Sequence, residues 1–303
     1  MVKMIKLQQG TQEWLDWRLN GITATEAACA FGVSKWGSPL SVYNDKLNPQ
    51  PHEQSKYEEW GTLLEDVIKF KKFAKMHPEF EVRQGECYED DWRKCSLDGE
   101  LWKDGKCQAI LEIKTGRIEA DWDPIPEYYK AQVMWQMHVT GIHKTYFAVL
   151  INGCDYLERE IDYDPEYAKR LEAACATLWN CIATKTPPAP SKPDIDQDIV
   201  NTMAVTAKDK EKTVEVSEED VQLYRALVKQ ADKIDMALKA LKLKFSNMLV
   251  GAAKLTYKGS SFGTMVNCKG KDSIDTKLLQ SKFPEIYSQV LKTGKPYSYP
   301  KFG

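Results

Sequence analysis

The spacing of apolar residues changes period several times along the chain, and each change marks an element. Residues 11–31, "TQEWLDWRLNGITATEAACAF", carry two short helical patterns interrupted at Asn20-Gly21. Thr23 and Glu26 have the spacing of a capping box at the start of the second. In 58–76, Leu63, Leu64, Val67, Ile68, Phe70 and Phe73 recur at helical spacing. Residues 80–114 change to strand-like runs with turn signals, 127–140 return to a helix, and "KTYFAVLIN" (144–152) predicts a buried strand. Residues 165–183 form an amphipathic helix. This order of helices, strand meander, helix, strand and helix predicts a mixed α/β (α+β) core.

A boundary follows. The stretch 184–198, "TKTPPAPSKPDIDQD", holds four prolines and predicts a linker. Ser217, followed by Glu218, Glu219 and Asp220, starts a long helix that runs to about residue 250. Leu227, Ala231, Ile234, Leu238, Leu241, Phe245 and Met248 give it a coiled-coil-like seam, which a partner helix or the helix's own domain could cover. Residues 254–268 predict a hairpin with a Gly-Ser turn. The expected division is 1–185 for the first domain, 186–216 for a Pro-rich linker and connecting segment, and 217–303 for a helical and hairpin extension.

The 303 residues suffice for one large domain or two ordinary ones, and 43% hydrophobic residues allow a real core. Lys and Arg number 42 against 44 Asp and Glu, so a net charge of −2 gives no global attraction to nucleic acid. Any such contact needs a local basic face. The run Lys69, Lys71, Lys72 and Lys75 offers one, although an ordinary solvated helix face explains it as well. Eight cysteines without a C-x-x-C pair predict reduced thiols in a cytoplasmic protein. No secretory leader and no run of 18 apolar residues is visible.

The chemistry concentrates in 95–116, "CSLDGELWKDGKCQAILEIKTG". Glu112 and Lys114 are two residues apart and share one strand face, while Ile113 takes the other. Whether Asp98 joins Glu112 depends on register. A two-residue Asp104-Gly105 loop pairs 103 with 106, hence 98 with 111, and puts the carboxylates on opposite faces. A three-residue loop, or a bulge supplying the same shift, pairs 98 with 112 and brings them together. Two adjacent carboxylates repel unless a cation lies between them, and their hard oxygens suit Mg²⁺ or Mn²⁺. A D…ExK pattern alone also fits a salt-bridged exposed strand.

Further blocks stand in order around it: "WLDWRLNGITATEAA", "GTLLED", "CSLDG" with "LEIKTG", and "YYKAQVMWQMHVTG". Together they resemble the lambda-exonuclease-like, YqaJ-type viral recombinases of the PD-(D/E)xK nuclease superfamily over roughly residues 9–185. Leu97 departs from the proline that many members place before the aspartate. The resemblance implies a restriction-endonuclease-like core, a mixed sheet flanked by helices. It implies a Mg²⁺-dependent 5′-to-3′ exonuclease acting on duplex DNA ends, leaving 3′ overhangs, with Mn²⁺ as substitute and two ions at the site. Asp98, Glu112 and the Ile113 carbonyl would hold metal, Lys114 would assist the attacking water, Glu65 would complete the acidic pocket, and Gln132 would orient Lys114 or the water. Arg18, Thr25 and Ser96 match positions that bind a 5′-terminal phosphate. A single-strand annealing protein as partner, a trimeric ring and a bacterial cytoplasm hosting a phage or prophage are also implied. An iron–sulfur cluster is not expected, because Cys175 and Cys181 lack the clustered partners it needs. An endonuclease on the same core and a non-catalytic DNA-end scaffold are the rival readings.

Overall fold

The computed structural model describes residues 1–50, 54–116, 122–206, 213–266, 269–270 and 273–292, so Cys268 lies outside the described residues. They fall into two compact units, the first ending at Thr206. In the first, strand β1 (Lys3–Ile5) precedes helices α1 (Gln12–Leu19) and α2 (Ala24–Ala30). The break between the helices is steric, since a Cβ on Gly21 would sit 2.3 Å from the Trp92 carbonyl oxygen. The capping box forms, with Thr23 N–H donating to the Glu26 carboxylate at 2.8 Å. Helix α3 (Pro39–Leu47) has Ser38 as its cap and Pro39 in its first turn. Its Asn44 and Asp45 resemble turn residues, which hides the helix from a propensity reading.

Helix α4 (Lys56–Asp66) runs into a π-helical segment, Val67–Phe73, and a last turn, α5 (Ala74–Met76). Four short strands follow: β2 (Glu81–Gln84), β3 (Cys87–Asp90), β4 (Arg93–Ser96) and β5 (Gly99–Lys103). The long strand β6 (Lys106–Gly116), helix α6 (Glu127–Thr140), strands β7 (Lys144–Ile151) and β8 (Asp155–Asp162), and helix α7 (Pro165–Thr184) complete the core. The central sheet has the order β2-β5-β6-β7-β8, antiparallel except for the parallel pair β6–β7 that α6 connects. A smaller antiparallel sheet has the order β1-β3-β4. The expected mixed sheet flanked by helices is therefore what forms.

Alternation along β6 divides two cores. Ile110 packs with α2, α6 and α7 residues such as Ala27, Val133, Trp135 and Leu171. Ala109, Leu111 and Ile113 face the other way, onto Ile68 and Phe73 of the π-helical segment. The β5–β6 hairpin decides which face each carboxylate takes. Its loop has two residues, Asp104 (φ 52°) and Gly105 (φ 72°), and pairs Lys103 with Lys106. The register then slips: Trp102 pairs with Cys107, but Leu101 pairs with Ala109, leaving Gln108 as a bulge. Beyond the bulge, Gly99 faces Leu111. Of the two routes to a shared face, the bulge is the one taken.

The Pro-rich stretch is more than a connector. From Pro193 it becomes helix α8 (Pro193–Thr206), which packs against α3. A proline at a helix start costs no hydrogen bond, so proline density misreads this segment. The second unit holds helix α9 (Glu218–Leu249), the hairpin β9 (Lys254–Tyr257) and β10 (Ser260–Thr264), and two short helices, α10 (Thr276–Lys282) and α11 (Pro284–Val290). No residue of α9 is buried, and its Phe245 ring meets Phe262 of β10 at 5.1 Å. The hairpin turns at Lys258-Gly259, both at positive φ, rather than at Gly-Ser. Among the described residues no helix is long and apolar enough to cross a membrane.

Gly85, between β2 and β3, lies against the backbone that leads into Asp98: an added Cβ would be 2.0 Å from the Leu97 carbonyl oxygen. Backbone cannot yield as a side chain can. Gly85→Ala is expected to cost about 2 kcal/mol or more, read as a lower urea midpoint. An unchanged midpoint would show that this crossing is not tight.

Candidate active site

Glu112 lies on the α6 face of β6 with no exposed surface. A carboxylate cannot sit there without donors, and three side chains supply them. Lys114 Nζ and Gln132 Nε2 reach Oε1 at 2.5 and 2.6 Å, and Gln136 Nε2 reaches Oε2 at 2.8 Å. Gln132 and Gln136 are one helical turn apart on α6, so the helix and the strand are joined through this carboxylate. Gln136 also donates to the Ser96 carbonyl at 3.3 Å, and its buried Oε1 has no partner among the described residues.

Asp98 follows β4 and accepts the Ile113 backbone N–H on Oδ2 at 2.8 Å. That contact fixes its carboxylate next to Glu112. Burial and the neighbouring charge of Glu112 push the Asp98 pKa up to about 8, against the pull of Lys114 and the Ile113 amide. Burial would lower the Lys114 pKa, but Glu112 and Asp98 outweigh it and hold the ammonium above its usual value. The Lys114 ammonium also lies 4.9 Å from the centre of the Tyr129 ring.

Glu65, in the last turn of α4, turns to Lys69, whose Nζ lies 2.9 Å from it and 2.8 Å from Gln84 Oε1. Lys69 is fully buried, so the reading of 69–75 as an ordinary solvated face fails at this residue. The reason is the π-helical segment: its wider turn shifts the side-chain phase, and Lys69 comes inside with Ile68 and Phe73. Three participants were thus missed in the sequence: Lys69, Gln136 and Tyr129. Gln136 stands four residues after Gln132, a spacing that would have found it. Tyr129 gave no such signal.

A cavity of about 390 Å³ opens over Lys114 and Gln132 and is also lined by Arg18, Thr25, Trp36 and Tyr129. The Arg18 guanidinium lies 4.5 Å over the Trp14 ring, and its backbone carbonyl accepts from the buried Lys46 at 2.5 Å. Thr25 stands in the first turn of α2. Ser96 is not part of the cavity lining. Its hydroxyl accepts the Trp14 indole N–H at 3.0 Å, leaving its own proton for Cys87 Sγ at 3.3 Å or for an incoming acceptor. Among the described residues no three His, Cys, Asp or Glu side chains gather as a metal centre. The donor set is the pair Asp98 and Glu112, which in kind fits a hard divalent cation.

The Asp98 pKa has a thermodynamic consequence. The native carboxyl keeps its proton up to about pH 8, whereas the unfolded one loses it near pH ~4. Between those values the native state binds more protons, so in chelating buffer this residue makes stability fall as pH rises. Melting curves of wild type and Asp98→Asn should therefore diverge between about pH 5 and 8, with the variant losing less. Parallel curves would refute the assignment.

A family model described as "YqaJ-like viral recombinase domain" matches residues 13–143. The YqaJ protein of Bacillus subtilis (strain 168), described as uncharacterized, is 27% identical over 312 residues, covering 94% of this chain and 92% of its own. Among solved structures, the alkaline exonuclease LHK-Exo of Laribacter hongkongensis is similar with 19% identity and a TM-score of 0.47, over 58% of this chain and 94% of that one. A phage-related exonuclease from Haemophilus somnus 129PT is similar with 11% identity and a TM-score of 0.43, over 55% and 96%. The match to that domain model spans residues 13–143, less than half of the chain, and these residues include every candidate discussed above from Arg18 to Gln136.

Proposed function

We propose that this protein is a Mg²⁺-dependent nuclease of phage-type recombination that digests one strand of duplex DNA from its 5′ end and leaves a 3′ overhang. The observation that carries the reading is the Asp98 carboxylate held on the Ile113 amide at 2.8 Å, beside a Glu112–Lys114 pair at 2.5 Å. The match of residues 13–143 to a model described as a YqaJ-like viral recombinase domain supports it.

Asp98, Glu112 and the Ile113 carbonyl would hold the metal. When bound, a hard divalent cation offsets charge building on the phosphoryl oxygens and acidifies water at neutral pH. The remaining work belongs to the chain. Lys114, fixed by Glu112, presents a cationic N–H donor that orients the attacking water and adds positive charge near the scissile phosphate. Gln132 and Gln136 keep the Glu112 oxygens in place, so the Lys114 donor does not wander. Glu65, paired with Lys69, would complete the acidic pocket, toward water on the metal. Arg18 and Thr25 line the same cavity and take the 5′-terminal phosphate, Arg18 through its planar fork and Thr25 through its hydroxyl. Ser96 contributes the hydroxyl proton it has to spare. A trimeric ring on DNA and a single-strand annealing partner belong to this reading through the family resemblance.

Asp98→Ala and Glu112→Ala are expected to lower turnover by about 10³-fold or more, and Lys114→Ala by about 10²- to 10³-fold, with DNA-end binding retained. Covalently closed circles should be spared. Arg18→Ala should slow digestion of 5′-phosphorylated ends by roughly 10- to 100-fold and change little on 5′-hydroxyl ends. Digestion of linear duplex by the Asp98→Ala protein in EDTA at the wild-type rate would overturn the metal mechanism. An equal Arg18→Ala penalty on both ends would overturn the phosphate subsite.

A further inference from the structure

The loop between α2 and α3 carries Trp36, which lines the same cavity as Arg18 and Lys114 yet leaves 68% of its surface exposed. Its ring meets the edge of Tyr128 at 4.8 Å and 83° and lies 6.5 Å from Tyr129. Tyr128 and Tyr129 are 4.3 Å apart, and the Lys114 ammonium sits over Tyr129. A row of aromatic rings therefore leads from the candidate reaction centre to an open indole.

The loop is held from outside the predicted 1–185 domain. Lys192 Nζ donates to the Ser34 carbonyl and, at 3.1 Å, to the Gly37 carbonyl, so one ammonium closes both sides of Trp36. The Trp36 backbone N–H donates to Ser34 Oγ at 3.2 Å. Asp196 of α8, 1% exposed, accepts the Ser38 hydroxyl and the backbone N–H groups of Ser191 and Lys192, the latter two at 2.7 and 2.9 Å. Gly37 leaves no room for adjustment, since a Cβ there would be 2.6 Å from Cys29 Sγ. A large aromatic face held in solvent by a clamped loop is arranged to receive another flat ring. Beside an anion-binding cavity, the flat ring that arrives with phosphate is a nucleobase.

We propose that Trp36 is a stacking platform for a nucleobase of the strand entering the cavity, and that Lys192 and Asp196 are positioning residues that hold its loop. The proposal rests on the nuclease reading. It also makes the α7–α8 segment part of the site, so a chain ending near residue 190 would lose the clamp.

The test is equilibrium binding of the full-length protein to 5′-phosphorylated duplex ends in Ca²⁺, by fluorescence anisotropy. One substrate is intact, and three others carry a single abasic site at the first, second or third nucleotide of the 5′-ended strand. Trp36→Ala should weaken binding to the intact end about tenfold. On one of the abasic substrates that penalty should vanish, because wild type has also lost its partner. Trp36→Phe should retain most of the affinity. Lys192→Met should weaken binding by about threefold, and its penalty should vanish on the same abasic substrate, which a merely destabilised protein would not show. A Trp36→Ala penalty equal on all four substrates, or none on the intact end, would overturn the stacking role while leaving the nuclease reading intact. Wild type that fails to bind any end would overturn both.

Discussion

The site is organised by one buried negative charge. Glu112 has no exposed surface, and an isolated carboxylate in that position would be strongly unfavourable. Its donors come from two directions: Lys114 from its own strand, and Gln132 and Gln136 from α6. The α6 helix is thereby tied to the middle of the sheet by polar bonds as well as by Val133, Met134 and Trp135. Removing one donor would leave a partly satisfied buried charge, so the elements around it are coupled more tightly than apolar packing alone would make them. Asp98 adds a second carboxyl group, whose pKa rises in response.

Around that centre, three acids are each answered by a cation. Lys69 answers Glu65, Lys114 answers Glu112, and Lys46 answers Glu26 while holding the Arg18 carbonyl. Asp98 is left with a backbone amide. The acid with the weakest compensation is the one at the meeting point of both sheets, which is where an incoming cation would change the balance most.

Much of this was legible in the sequence because it depends on period and spacing. The α1–α2 break, the capping box of Thr23 and Glu26, the buried strand of 144–151 and the ExK face all follow from local pattern. What was not legible depends on departures from regular geometry. Counting from the Asp104-Gly105 turn gives the wrong partner for Asp98, since the bulge at Gln108 has no side-chain signature. Lys69 belongs to a helical surface only while the helix keeps 3.6 residues per turn, and the π-helical segment breaks that count. Helix α8 was hidden by prolines that mark a linker when read by composition and a helix start when read by position.

The bulge also imposes a parity rule on the hairpin. Every residue of β6 after Gln108 is one step out of phase with the turn that precedes it. A single insertion or deletion anywhere between Asp98 and Glu112 would flip Glu112 and Lys114 to the opposite core, among Leu101, Ile68 and Phe73. Length changes that keep the carboxylates together must come in even steps, because a two-residue loop with the bulge and a three-residue loop without it span the same number of residues. Two hairpins can thus differ in loop length by one residue with no gap between their sequences and still present the same chemistry, and an ungapped alignment of the two would mispair the residues between the turn and the bulge.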